Sequence, residues 1–457
     1  MNSTFILENG IILPLEGTRR VFDPGSVLVS DGRIEAVGTP EEVRVHPKAV
    51  SVPVFDVTGH AVLPGFHNCH LHSGLLRGTA ESLALFEWLE THVDPAHRAL
   101  TPEIAEAASY MAYTEAVLGG TTSVLDMWRY MEGSARAAEQ IGIRATLAPY
   151  TADRYDYFET METNRRLLET HREAADGRVR TWVGLEHIFY CSSGMFLEAV
   201  SLAREFDTGL HLHSSETIWE VDECLRQFGR RPIEEFHNRG VLTENTVIAH
   251  CVWLDNREVE LLAQTGTAVT HCPCSNMKIS SGPARVGYYR EQGITVGLGT
   301  DGEKENNNLD MLEEMKFASL LQKVSTLDPT TGDPWDILDM ATLSGARALG
   351  LDSVTGSLEV GKDADIVTVD LGAIHFVPIM HGDDFNVPAH LVFSANSRDV
   401  ANVWVRGEHL VESGDLTTVD VSEVSQRAQT AAEELFERRR SLLGKNRGPR
   451  SVLEGSN

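Results

Sequence analysis

From about residue 61 to residue 351 the chain alternates short apolar runs with longer segments of helical period. The runs are 61–63, 122–125, 144–148, 181–185, 208–213, 246–250, 268–271 and 295–299. Strands covered on both faces lose the polar/apolar alternation of a half-exposed sheet and read as unbroken apolar stretches. When helix-like sequence follows each run, the pattern predicts parallel strands with crossover helices. Eight such units predict a closed (β/α)8 TIM-type barrel rather than an open sheet. The flanks have a different texture. Residues 5–13, 26–30, 33–37 and 52–57 are β-rich and broken by Gly, Pro and Asp, and 365–370, 390–393 and 400–412 again read as strands. Two β-rich flanks predict one small β domain built from both termini, 1–60 with 358–420, around a barrel at 61–357. Residues 422–443, rich in Ala, Glu, Arg and Leu, predict a helix within a C-terminal segment 421–457, with a loose tail after Gly444.

The length of 457 residues fits a large catalytic domain and a smaller one. A formal net charge of −28 repels phosphate backbones and anionic lipid heads, so neither nucleic acid nor membrane is an expected partner. The N-terminus lacks a basic stretch leading into a long apolar one, and no window suits a membrane span; a cytoplasmic enzyme is expected. The six cysteines, Cys69, Cys191, Cys224, Cys251, Cys272 and Cys274, are few for this length and several lie in apolar segments. They read as reduced thiols.

Polar residues at the ends of apolar runs carry the chemistry. His70 and His72 follow the first run, His213 and His250 end later ones, and Asp301 closes the last. Two-residue spacing on an extended strand sends both imidazoles of His70 and His72 to one face. Parallel barrel strands deliver their C-terminal residues to one mouth, so groups distant in sequence converge there. A lone histidine at a strand end is more often a hydrogen-bonded core residue than a ligand, but five such residues in one chain favour a metal site. Neutral imidazoles with a carboxylate suit Zn²⁺ or another first-row ion. His67 is expected to line the mouth. His211 points inward with His213 or lies in the layer beneath; both stay outside the ligand set.

These residues, in this order, resemble the amidohydrolase superfamily and its mononuclear aminohydrolase branch. The resemblance extends to 75–78 (LLRG), 249–254 (AHCVWL), 275–278 (SNMK), and 299–302 (GTDG) followed by 306–311 (NNNLDM). These stretches are similar to deaminases of S-adenosylhomocysteine, 5′-methylthioadenosine and 5′-deoxyadenosine, and much is shared with s-triazine hydrolases. The resemblance implies that the terminal β domain is a small β-sandwich. It implies one metal ion per subunit, Zn²⁺ with Fe²⁺ or Mn²⁺ as the other candidates, held by His70, His72, His213 and Asp301. Such an ion lowers the pKa of water toward neutrality. Asp301 and His250 then handle the water's protons, and Glu216 shuttles a proton to a ring nitrogen so that the ring carbon accepts hydroxide and ammonia leaves. His187 and Trp88 are implied substrate contacts. Relatives often assemble as homo-oligomers, and the same is expected here.

Two departures bear on the substrate. His97 occupies the place where nucleoside deaminases carry an acid that grips the ribose diol, so His97 is expected beside the substrate. Glu305 stands close to Asp301 where relatives have a small residue. The leading expectation is a metal-dependent hydrolase acting on C–N bonds, a deaminase of an adenosine-type or related heterocycle. Hydrolytic dehalogenation or dealkylamination of a triazine or pyrimidine ring, and cyclic amide hydrolysis, remain as alternatives.

Overall fold

The computed structural model describes residues 4–79, 81–83 and 85–445. The tail expected after Gly444 lies outside them except for Lys445, which ends the helix Val421–Lys445.

The strands in chain order are β1 (Phe5–Ile12), β2 (Phe22–Ser30), β3 (Arg33–Gly38), β4 (Val54–Asp56) and β5 (His60–Pro64). Next come β6 (Phe66–Leu71), β7 (Thr121–Trp128), β8 (Arg144–Pro149), β9 (Val179–Thr181) and β10 (Val183–Gly184). β11 (Leu210–Ser214), β12 (Thr246–His250), β13 (Ala268–His271) and β14 (Val296–Leu298) follow. The last are β15 (Ile366–Asp370), β16 (Val400–Val405), β17 (Glu408–Glu412) and β18 (Asp415–Leu416).

β6 to β9 form one parallel sheet in chain order, and β10 to β14 form a second. Every residue of β6, β7, β8, β11 and β12 is buried, which is why these strands carry no alternating pattern. Helices return the chain between them, started by their own caps. The Thr101 hydroxyl accepts the Ile104 N–H at the head of Pro102–Leu118, and Asp255 with Glu258 caps Asn256–Thr265 reciprocally.

Hydrogen bonds join the two sheets at both pairs of edges. Trp182 N–H donates to Leu147 O of β8 at 2.9 Å, and Val183 N–H to Gly209 O, just before β11, also at 2.9 Å. At the other edges Asp301 N–H, just past β14, donates to His70 O of β6 at 3.0 Å. Thr270 Oγ1 of β13 donates to Cys69 O at 3.1 Å. The strands pack so closely that a Cβ on Gly184 would stand 2.0 Å from Pro149 O.

Strands from both ends of the chain build a nine-stranded sheet, in the order β18-β17-β16-β15-β5-β1-β2-β3 with β4 beside β1. Its own core gathers Phe5, Leu7, Ile12, Val29, Ile366 and Trp404.

Three expectations change. The run 61–63 belongs to β5 in the nine-stranded sheet, paired with β15 and β1, and the strand that carries His70 is β6. Only Gly65 separates β5 from β6. A side chain there would run into Thr122, 2.1 Å from a Cβ, so the chain passes between sheets at the one residue type that fits. The run 181–185 is divided at Trp182, which bonds to one sheet while its neighbour bonds to the other. Residues 390–393 are not a strand but the end of the helix Val387–Phe393, whose buried Val387, Leu391 and Val392 share one face. Pro388 sits in its first turn, where a missing N–H costs nothing, and a four-residue stretch carries too little periodicity to show this.

Arg144 of β8 ties the parallel sheet to the nine-stranded one. Its Nε donates to Asp365 Oδ2 at 2.6 Å and its Nη2 to Asp363 Oδ2 at 2.7 Å, all buried. Replacing Arg144 by Ala leaves the Asp365 carboxylate buried without its counter-charge. We expect Arg144→Ala to lose about 3–5 kcal/mol of stability, read from urea unfolding. An unchanged midpoint would remove this pair from the junction.

Candidate active site

His70 and His72 come from the end of β6, and His213 from β11. Asp301 follows β14. The structure brings all four together. His72 Nε2 lies 3.2 Å from His213 Nε2. His70 Nε2 and His72 Nε2 each lie 3.3 Å from Asp301 Oδ1. All four side chains are buried.

A proton inventory shows what these nitrogens offer. His72 Nδ1 lies 2.7 Å from Met127 O, and His213 Nδ1 lies 2.8 Å from Glu186 O. A carbonyl oxygen only accepts, so both Nδ1 atoms carry hydrogen. His211 Nδ1 donates in the same way to Val247 O at 2.9 Å, which leaves His211 Nε2 to accept from His70 Nδ1 at 2.8 Å. Burial, the largest influence, lowers the pKa of His70, His72 and His213, so these imidazoles are neutral. Each therefore presents an Nε2 lone pair, two of them face to face, beside a carboxylate. His70 Nε2 has no hydrogen-bond partner among the described residues. Three lone pairs and an anion aimed at one point repel each other unless a cation lies between them. Three imidazoles, a carboxylate and fixed tautomers suit a first-row divalent ion.

His250, the last residue of β12, closes the fourth side. Its Nδ1 donates to Asn276 Oδ1 at 3.1 Å. Its Nε2 stands 3.8 Å from Asp301 Oδ2 and 3.9 Å from Glu216 Oε2. Burial opposes a charge on His250, but the Glu216 and Asp301 carboxylates outweigh it and raise its pKa. Ser275 Oγ donates to Asp301 Oδ2 at 2.7 Å, which fixes the carboxylate plane. Burial raises the pKa of Glu216. Its backbone N–H and that of Ser215 both donate to Glu220 at 2.8 Å. Glu220 also faces His187 Nε2 at 3.3 Å. Burial works against charge on His187, yet the Glu220 carboxylate raises its pKa to about 9, while the Phe189 N–H donates to its Nδ1 at 3.5 Å.

A cavity opens from this cluster. His72, His213, His250, Asp301 and Glu216 border it, as do His187 and Trp88 from the sequence expectations. Two candidates fall elsewhere. His97 is not on this wall: its ring lies behind Tyr150 at 5.4 Å between centroids and edge-on to Trp128. A helix, Asp94–Ala99, turns the side chain into that aromatic layer. His67 does not reach the mouth. It sits at the start of β6, bonded to Gly65 O at 3.2 Å, where burial lowers its pKa to about 4 and Asp365 and Arg144 are its charged neighbours. His211 takes the layer beneath. Asn276 acts through His250.

Sequence reasoning did not single out Tyr150, Phe189, Tyr190, Trp219 and Glu220, which also line the cavity. Tyr150 follows the last residue of β8, a position that strand-end reasoning flags; the others lie in loops or a helix start without a periodic signal.

The sequence profile of the Amidohydrolase family matches residues 61–410. The 5′-deoxyadenosine deaminase of Methanothermobacter thermautotrophicus is 38% identical over 439 residues, covering 95% of this chain and 99% of its own. The 5-methylthioadenosine/S-adenosylhomocysteine deaminase of Syntrophobacter fumaroxidans is 37% identical over 432 residues, covering 93% and 97%. The crystal structure of an adenosine deaminase from Xanthomonas campestris with bound zinc superposes with a TM-score of 0.89 at 30% identity, covering 95% of this chain and 99% of that one. Among the described residues no helix is long and apolar enough to cross a membrane.

A ligand that binds only the folded chain raises its stability by about 2.7 kcal/mol at a hundredfold excess over Kd. We expect metal-stripped protein to melt at higher temperature on adding Zn²⁺. His213→Ala and Asp301→Asn should each abolish that shift; a shift that survives both substitutions would place the cation elsewhere.

Proposed function

The chain belongs to the amidohydrolase family, and from that membership and the geometry of its cluster we propose that it is a zinc-dependent hydrolytic deaminase of an adenosine-type aminated purine. The observation that carries this reading is the meeting of three Nε2 lone pairs and the Asp301 carboxylate beside Glu216, in a chain similar over nearly its whole length to deaminases. The two parallel sheets, bridged at both edges, fit a (β/α)8 barrel whose strand ends carry the site, and the nine-stranded sheet fits a small β-sandwich wrapped on its Trp404 core. In this reading the chain divides as 1–60 with 358–420, 61–357 and 421–457, except that 61–64, the rest of β5, fall on the β-domain side.

His70, His72, His213 and Asp301 would hold the ion. When bound it supplies Lewis acidity that brings the pKa of a water toward neutrality. Asp301 Oδ1 faces the histidines, while Oδ2 faces His250, so one carboxylate serves the ion and the water's proton. His250 Nε2, between Asp301 and Glu216, orients the water and stabilises developing negative charge. Glu216 delivers a proton to a ring nitrogen. The ring carbon then adds the water oxygen, and the tetrahedral carbon expels the amino group as ammonia once that nitrogen is protonated. Trp88 and Tyr150 offer flat faces for a heterocycle, and His187, held by Glu220, lies on the same wall.

Purified zinc-loaded enzyme should release ammonia from adenosine, 5′-deoxyadenosine or 5′-methylthioadenosine. Glu216→Gln should lower that rate about 10²–10⁴-fold while zinc content is retained. No ammonia from any aminopurine would count against the reading, and full activity in Glu216→Gln would remove Glu216 from it.

A further inference from the structure

The cavity wall carries an acceptor that the chemistry above does not use. Glu305 borders the same cavity as Asp301 and His72 and is 7% exposed. Its Oε1 pairs with Lys304 Nζ at 2.6 Å. Its Oε2 is buried with no hydrogen-bond partner among the described residues. Leaving a buried carboxylate oxygen unpaired is costly, so such a group in a native structure calls for a specific partner or role.

The position is built rather than incidental. A Cβ on Gly302 would stand 2.4 Å from Glu305 Oε2 and 3.0 Å from His72 Cβ, so only glycine lets this carboxylate lie against the metal-ligand strand end. The turn Glu303–Asn306 is clamped from outside. Leu76 N–H donates to Glu303 Oε1 at 2.7 Å, and Lys278 Nζ donates to Lys304 O at 2.8 Å and to Asn307 Oδ1 at 3.0 Å. A group held this firmly discriminates between ligands at little ordering cost.

The chemistry of the partner follows. A carboxylate only accepts, so the ligand must bring O–H or N–H donors. Lys304 already balances the charge of Glu305, so no cationic ligand is required. Glu186, on the same cavity, also has a buried unpartnered Oε2, which makes this wall rich in acceptors. We propose that Glu305 is a specificity-determining residue that accepts hydrogen bonds from neutral hydroxyl groups carried by the substrate beside its reacting ring. The proposal rests on the deaminase reading for its choice of ring.

The test compares adenosine with 2′,3′-dideoxyadenosine, which differ only in hydroxyl donors. It reads kcat/KM by ammonia release and, independently, affinity by titration calorimetry. Wild-type enzyme should prefer adenosine by about 10- to 100-fold, the range of a hydrogen bond to a charged group. In Glu305→Gln the preference should collapse to about the scale of a neutral pair, below tenfold, through weaker binding of adenosine. Zinc content and the zinc-induced rise in melting temperature should stay as in the wild type. Glu305→Ser serves in place of Glu305→Gln if the latter does not fold. No preference in the wild type, or a full preference retained in the variant, overturns the proposal. If neither compound releases ammonia but calorimetry shows the preference and its loss in the variant, the deaminase reading fails and the role of Glu305 stands.

Discussion

Three imidazole lone pairs and one carboxylate are held against their mutual repulsion at a single point, and the architecture is arranged to keep them there. Three tautomers are fixed by a carbonyl on the neighbouring strand or just beyond its end, and His211 in turn fixes that of His70. His72 is set by Met127 on β7, His213 by Glu186 just past β10, and His211 by Val247 on β12. His211 and Val247 are also register partners in the parallel ladder. Strand pairing therefore decides which nitrogen bears the proton, and a slip of one residue would turn His211 and His213 away together. The ligand set is a property of the sheet register as much as of the residues.

The strand ends bear local strain as well. Ser215, His250, Cys251 and Asp301 all have positive φ, at 52°, 73°, 47° and 59°. None is glycine, and such a conformation costs of order 1–3 kcal/mol per residue. The left-handed turn has a use: it ends the strand abruptly and folds the following side chain back over the sheet end. Backbone bonds hold these turns in place. Cys251 N–H donates to Ser214 O at 3.0 Å, Trp253 N–H to Ser215 O at 2.9 Å, and Asp301 N–H to His70 O at 3.0 Å. The last bond joins the final strand end to the first, so the contact that bridges the two sheets also orients the carboxylate. Strain is concentrated where His250 and Asp301 must face each other, and cross-strand bonds offset it.

The ligand candidates and the parallel strands were legible because both leave a one-dimensional trace: apolar runs with polar residues at their C-terminal ends. Glu216 was legible only through the family resemblance. Errors arose where the trace is ambiguous. Residues 61–63 and 66–71 form adjacent buried strands, and an apolar run does not say which sheet it joins; Gly65 is the only mark of the switch. The helix Val387–Phe393 ends in three apolar residues, Leu391 to Phe393, too few to separate a period of two from one of 3.6. His97 stood in line by counting along the chain, but a helix at Asp94–Ala99 turned it behind Tyr150. The aromatic wall stayed hidden because it is assembled from loops after several different strands, where neither period nor spacing applies.

The acid-rich wall and the cation cluster are electrostatically one unit. Glu186, Glu216, Glu220, Glu305 and Asp301 surround the cavity, with Lys304 paired to Glu305 and His187 facing Glu220. Burial pushes Glu186 up to about 7 and Glu305 up to about 8, toward forms that hold a proton and lose acceptor capacity. A divalent charge at the histidine cluster acts in the opposite sense on every carboxylate around it, because in a low-dielectric interior its field is weakly screened. The ion that activates water would therefore also keep the wall ionised and ready to accept hydrogen bonds.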